Sequence, residues 1–229
     1  MTQWPVSQEM LVPYLGPGIE VDTFQGSAYV SLVGLRFSDT RMLGVGVPFH
    51  RTFTEVNLRF YVRREAPEGV RRGVVFISEL VPRFWIAAVA RTLYNEKYRA
   101  IPMRHSLEKR DGARCWTYGW RAGGSEHQVQ AVAHGDPQPM IPGSREEFIA
   151  EHYWGYSKQR DGAVIEYRVR HPSWKVWSLT ELGCDWSPGD TYGNALGEIL
   201  CSQPEFAFVA DGSDVTVSWG SQVLVGSER

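Results

Sequence analysis

The sequence predicts an α+β fold: a mainly antiparallel, barrel-like β-sheet with about three helices packed outside it. Three observations carry this prediction. Runs rich in β-branched and aromatic residues dominate the chain. Asp-Gly or Gly-Gly pairs stand between many of these runs, as type I′ hairpin turns require, because only small or turn-prone residues accept positive φ. Only three segments carry a helical period or a helix-start signal.

Taken in order, "GSAYVSLVGLRF" (26–37) reads as the first long strand. "FTEVNLRFYV" (53–62) follows a stretch punctuated by glycine and proline. The mixed-charge run "RREAPEGVRR" (63–72), broken by Pro67 and Gly69, reads as an exposed loop. "RGVVFISEL" (72–80) is nearly all apolar, which suits a strand buried on both faces. Residues 82–95 open with Pro82 and place Trp85, Val89 and Leu93 at helical spacing. Asp-Gly at 111–112, 161–162 and 211–212, and Gly-Gly at 123–124, predict hairpins. Ser144 with Glu147 three residues on has capping-box spacing, so a helix should begin there. A third, glycine-interrupted helix is expected over 191–203.

The 229 residues include 43% hydrophobic and 22% charged side chains with a net charge of −2, and no linker or repeat divides them. One domain over 1–229 is the expectation. No basic block suggests a nucleic-acid partner. No apolar run of about 18 residues suggests a membrane span. Neither a leader pattern nor a disulfide framework is visible, since Cys115, Cys184 and Cys201 are few and widely spaced. A cytoplasmic protein is therefore expected. The six histidines show no metal-ligand spacing, and neither a nucleophile-elbow serine motif nor a glycine-rich phosphate loop is present, so no metal or cofactor is expected.

One strand carries candidate chemistry. Alternate residues of a strand point to opposite faces. In 53–62, Val56, Leu58, Phe60 and Val62 share one face, whereas Glu55, Asn57, Arg59 and Tyr61 share the other. The polar row faces water in an open sheet, but lines the interior in a closed barrel, where it has to be filled by side chains or ligand. In the second case Arg59 can fork onto a carboxylate and Glu55 can serve as acid, base or orienter. Lys97 is a candidate amine nucleophile, with Arg99 placed to depress its pKa. His171, followed by Pro172 and with Trp174 three residues on, is a further candidate.

The ordered segments "LVPYLGPGIEVDTFQGSAYVSLVGLRF", "TEVNLRFYVR", "GVVFISEL", "ARTLYN", "YRAIPM", "EHYWGYS" and "HPSWKVWSL" resemble the YqjF-like proteins over roughly residues 10–225. These are an uncharacterised group of the acetoacetate decarboxylase-like superfamily. The resemblance implies a cone-shaped, closed or nearly closed barrel with an interior cavity, into which Glu55 projects. The decarboxylases place a Pro-Lys-Lys sequence after the helix. Here the matching stretch is Lys97-Tyr98-Arg99, which sets Tyr98 and Arg99 at the lysine positions and Lys97 one place early. A one-residue offset turns a side chain to the other face of a strand, so Schiff-base chemistry is not expected.

The candidate catalytic residues are thus Glu55 and Lys97. The candidate binding residues are Asn57, Arg59, Tyr61, Tyr98 and Arg99, with Met103, His171 and Trp174. The expected function is binding of a small carboxylate or polar carbonyl compound. The alternatives are an enzyme acting on a small oxo-acid, by decarboxylase-like or proton-transfer chemistry, and a structural or interaction protein whose barrel is packed. The expected partner is a small anionic or carbonyl-containing molecule. A homodimer could form through the edge segment "VTVSWGSQVLV".

Overall fold

The computed structural model describes residues 1–42, 45–46, 52–82 and 98–223. Apart from Pro82, the helix expected over 82–95 lies outside the described residues, and so does Lys97.

The chain opens with β1 (Thr2–Val6), two short 3-10 turns, β2 (Glu20–Val21) and β3 (Ala28–Phe37). A separate small pair follows, β4 (Arg41–Met42) with β5 (Val45–Gly46). The two longest strands are β6 (Phe53–Ala66) and β7 (Gly69–Val81). Their ladder runs on through the charged stretch expected as a loop, pairing Arg63 with Arg72 and Ala66 with Gly69, so that only Pro67 and Glu68 form the turn. The reason is charge pairing: Arg64 and Arg71 both bond to the buried Glu166 instead of projecting into water.

Beyond β7 come β8 (Tyr98–Ala100), β9 (Met103–Arg110), β10 (Ala113–Ala122), β11 (Ser125–His134) and β12 (Gln138–Pro139). The β9–β10 and β10–β11 turns are the expected ones, with Asp111, Gly112, Gly123 and Gly124 all at positive φ. Helix α1 (Arg145–Ala150) starts where the capping spacing places it, with Ser144 Oγ accepting from the Glu147 amide. Next are β13 (Trp154–Lys158), β14 (Val164–Arg170), β15 (Lys175–Ser178) and β16 (Glu181–Asp185). The helix expected over 191–203 is two helices, α2 (Pro188–Tyr192) and α3 (Asn194–Cys201), parted at Gly193 with φ of 82°. Last are β17 (Phe206–Ala210), β18 (Thr216–Val217) and β19 (Ser221–Gln222).

The hairpin expected at Asp211-Gly212 does not form. Both edges of β17 are occupied, by β1 and β15, so the chain turns there and runs on to pair β18 and β19 with β14. In the segment expected to offer a dimer edge, Thr216–Val217 and Ser221–Gln222 each pair with β14 on one side, and β18 stands at the end of the strand order.

The main sheet has thirteen strands in the order β12-β15-β17-β1-β3-β6-β7-β13-β14-β18, with β2, β8 and β19 as side branches. It is antiparallel except where β13 and β8 run parallel to β7. A second sheet has the order β16-β11-β10-β9. Among the described residues, no pairing joins the ends of either sheet. The apolar row Val56, Leu58, Phe60 and Val62 lies in the main core, against Trp4, Ile77, Trp120 of the second sheet and Leu196 and Leu200 of α3. It thus packs between the sheets as well as under a helix. The opposite face of the main sheet has a smaller core, where Tyr29, Tyr61, Val74 and Phe208 meet Phe148 and Ile149 of α1. No described helix is long and apolar enough to cross a membrane.

Candidate functional site

Strand β6 brings Glu55, Asn57, Arg59 and Tyr61 to one face by its two-residue period. That face is not washed by solvent: Glu55 is 3% exposed, Asn57 0% and Tyr61 1%. Cross-strand partners extend the row. Asn57 lies opposite Val33 on β3 and Glu79 on β7, and Glu79 lies beside Tyr98 on β8. Arg59 lies between Ser31 and Phe76, and Ser31 in turn is beside Gln3 of β1.

A bulge in β7 builds part of this arrangement. Leu58 pairs with Ser78 but Arg59 pairs with Phe76, so one extra residue of β7 sits between them. Phe76 and Glu79, three apart, thereby face the same side, which a regular pleat forbids. Glu79 was not expected at the site, because the period of "GVVFISEL" does not reveal a bulge. The available signal was an acid ending an otherwise apolar run.

Glu55 is the centre of the cluster. Asn57 donates Nδ2–H to Glu55 Oε1 at 2.8 Å, and the Tyr98 hydroxyl also donates to the Glu55 carboxyl. Burial raises the Glu55 pKa to about 7, against the opposing pull of Asn57, the Arg59 charge and Tyr98. Near neutral pH this group can therefore hold or release a proton, the condition for general acid–base work.

Beside it lie buried polar atoms without partners. Both amide atoms of Gln3, Oδ1 of Asn57 and Nε of Arg59 are buried and make no hydrogen bond among the described residues. Buried polar groups in folded proteins are nearly always paired. Gln3 was also missed, since a lone glutamine in "TQWPV" carries no motif. Ser31, whose hydroxyl bonds to that of Tyr61 at 2.7 Å, is the only short side chain between the long ones of Gln3 and Arg59.

Tyr61 turns from this row toward α1. Its ring lies 4.8 Å from that of His152 and 5.5 Å from that of Phe148. His152 Nε2 lies 3.3 Å from Asp22 Oδ2, which also accepts from Arg72 Nε at 2.7 Å. Burial, and secondarily the charges of Arg72 and Arg59, lower the His152 pKa to about 4, although the Asp22 hydrogen bond opposes this. Burial acts to raise Asp22, but hydrogen bonds from His152 and Arg72 outweigh it and hold Asp22 at about 2. His152 is thus neutral near pH 7, donating from Nε2 and leaving Nδ1 as an acceptor with no partner among the described residues.

The remaining candidates lie elsewhere. Arg99 pairs beside Leu80, on the face opposite to Tyr98, and donates Nη1–H to the Thr191 carbonyl at 2.9 Å. Strand alternation, which separates neighbours in sequence, removes it from the Glu55 cluster. Met103 lies opposite Trp120 and packs on the main core. His171 and Trp174 stack on each other at 4.1 Å past the end of β14, with Trp174 Nε1–H donating to Ser213 Oγ. The His171 ring also lies 4.9 Å from that of Tyr153, whose amide donates to the Arg72 carbonyl of β7. Among the described residues, no three His, Cys, Asp or Glu side chains gather to hold a metal ion.

Solved structures share this architecture. Acetoacetate decarboxylase from Legionella pneumophila subsp. pneumophila str. Philadelphia 1 is 14% identical with a TM-score of 0.62, covering 97% of this chain and 83% of that one. The enduracididine biosynthesis enzyme MppR, solved with pyruvate, is 13% identical with a TM-score of 0.58, covering 96% and 81%. An acetoacetate decarboxylase-like enzyme from Sphingomonas wittichii RW1 is 11% identical with a TM-score of 0.56, covering 96% and 86%. Among curated proteins none matches the chain. The strand-rich α+β fold is thus one this chain shares with these three structures. The chain belongs to the DUF2071 family, described as an uncharacterized conserved protein (COG2071), whose model matches residues 1–214.

Proposed function

We propose that the polar face of β6 lines the interior of a barrel-like sheet and binds a small carboxylate or polar carbonyl compound without a Schiff base. One observation carries this reading. The Arg59 Nε–H, the Gln3 amide and the Asn57 Oδ1 are buried on one sheet face with no partner among the described residues, and a polar ligand supplies what they lack. The fold neighbour solved with pyruvate gives the ligand class some support. Tyr98, beside Glu79 and bonded to Glu55, stands where the resemblance to the decarboxylases sets one of their two lysines, which favours the non-covalent reading.

The test is thermal unfolding with small carboxylates. A ligand at one hundred times its Kd adds about 2.7 kcal/mol. At least one such acid is expected to raise the melting temperature, and Arg59→Gln is expected to remove most of that shift. Borohydride with an oxo-acid is expected to add no mass. An unchanged ligand shift in Arg59→Gln sinks the site, and a borohydride adduct sinks the non-covalent reading.

The ionisation of Glu55 favours a second reading, a proton-transfer enzyme acting on a small oxo-acid. A carboxyl titrating at about 7 and held by Tyr98 suits removal of a proton next to a carbonyl. This reading expects solvent deuterium to enter the carbon beside the carbonyl, and Glu55→Gln to slow that exchange by a factor of 100 or more, on the order of general acid–base contributions.

A further inference from the structure

We propose that the ligand is a carboxylate carrying a hydrogen-donating group, a hydroxyl or an amine, about one strand pleat from its carboxylate, in preference to the corresponding oxo-acid. This rests on the reading above that the face binds a carboxylate.

The inference comes from counting unmet donors and acceptors. Arg59 Nε carries only a hydrogen to give, and a guanidinium never accepts, so it needs an acceptor such as a carboxylate oxygen. Asn57 needs the opposite. Above its titration Glu55 is a carboxylate, which accepts and does not donate, so Asn57 Nδ2 is spent on it and Oδ1 is the unmet atom. A carbonyl has no hydrogen to offer Oδ1, and would set two lone-pair oxygens against each other in a buried place. A hydroxyl or an ammonium satisfies it.

Geometry sets the spacing between the two ends. Arg59 and Asn57 are two residues apart on one face of β6, about 7 Å along the strand. An acid whose donor group sits on the fourth carbon spans that separation. Gln3 completes the carboxylate end, since its unmet amide stands two strands from Arg59 across the short Ser31 and can give Nε2–H to the same anion.

A matched five-carbon series tests this by calorimetry on the full chain at pH 8, above the Glu55 titration. Pentanoate, 4-oxopentanoate, 4-hydroxypentanoate and 4-aminopentanoate share the carboxylate and differ only at the fourth carbon. The hydroxy acid, the amino acid or both are expected to bind at least tenfold more tightly than the oxo acid. Which of the two prevails identifies the donor. Asn57→Leu is expected to bring all four acids within about twofold of one another. Asn57→Asp keeps an acceptor oxygen and is expected to retain the preference, which covers the case of a leucine variant that fails to fold. The proposal is overturned if the oxo acid binds as well as both donor acids, or if the preference survives in Asn57→Leu. Failure of the underlying site is distinct: none of the four acids then binds, or all bind equally well after Arg59→Gln.

Discussion

The Glu55 carboxyl keeps its proton up to about pH 7 because burial outweighs Asn57, Arg59 and Tyr98, whereas His152 refuses one until about pH 4 because burial outweighs Asp22. The signs are opposite. Glu55 has a folded pKa above its ordinary 4.5, so its contribution is full below 4.5 and is lost as pH rises through 7. His152 has a folded pKa below its ordinary 6.5, so stability falls as pH drops from 6.5 toward 4. Each effect amounts to at most roughly 3–4 kcal/mol, and the two oppose each other between pH 4.5 and 6.5. Single variants should separate them. Compared with the parent, Glu55→Gln is expected to lose more stability on acidification from pH 6.5 to 4.5, and to be more stable than the parent at pH 8. His152→Gln, which can still donate to Asp22, is expected to lose less over the same interval. Urea unfolding at pH 4.5, 6.5 and 8 measures both, and parallel profiles for the three proteins would exclude the assignment. The row from Glu55 to Tyr61 was legible because period two is a local property. His152 and Gln3 were not, since each acquires its role from strands or helices far away in sequence.

Among the elements, the β9–β10–β11 meander and the Ser144 cap of α1 were legible for the same local reason, and so were the inner runs of β6 and β7, but not their ladder through residues 63–72, whose charges read as a loop. The bulge in β7 was not, and with it went the placement of Glu79. Nor did the turn at Gly212 disclose that β17 was already flanked on both sides. The parallel contact of β13 with β7 depends on Gly73. A methyl group there would come within 2.6 Å of the Trp154 carbonyl oxygen and of the Tyr156 ring. Backbone cannot yield as a flexible side chain can, so Gly73→Ala should cost about 1–3 kcal/mol by overpacking. Denaturant titration reads this as a lower midpoint at unchanged slope. An unchanged midpoint would mean that β13 moves freely against β7.

At the scale of the molecule, the strand-rich α+β class was readable from composition and turn signals, but the order of strands was not. Hairpin turns specify only neighbours in sequence, while β1–β17 and β7–β13 join segments far apart along the chain. Topologies dominated by such distant pairings fold in roughly milliseconds to seconds. Stopped-flow refolding followed by tryptophan fluorescence is expected to fall in that range, and a microsecond phase carrying the full amplitude would contradict it. The seat of β17 between β1 and β15 has a further effect in the cell. Gln3 meets its partner Phe206 only after about 200 more residues have been synthesised, which at typical translation rates takes about 10–40 s. Throughout that interval the edge of β1 that β17 will cover has its backbone groups unpaired, the kind of edge that templates unwanted strand pairing.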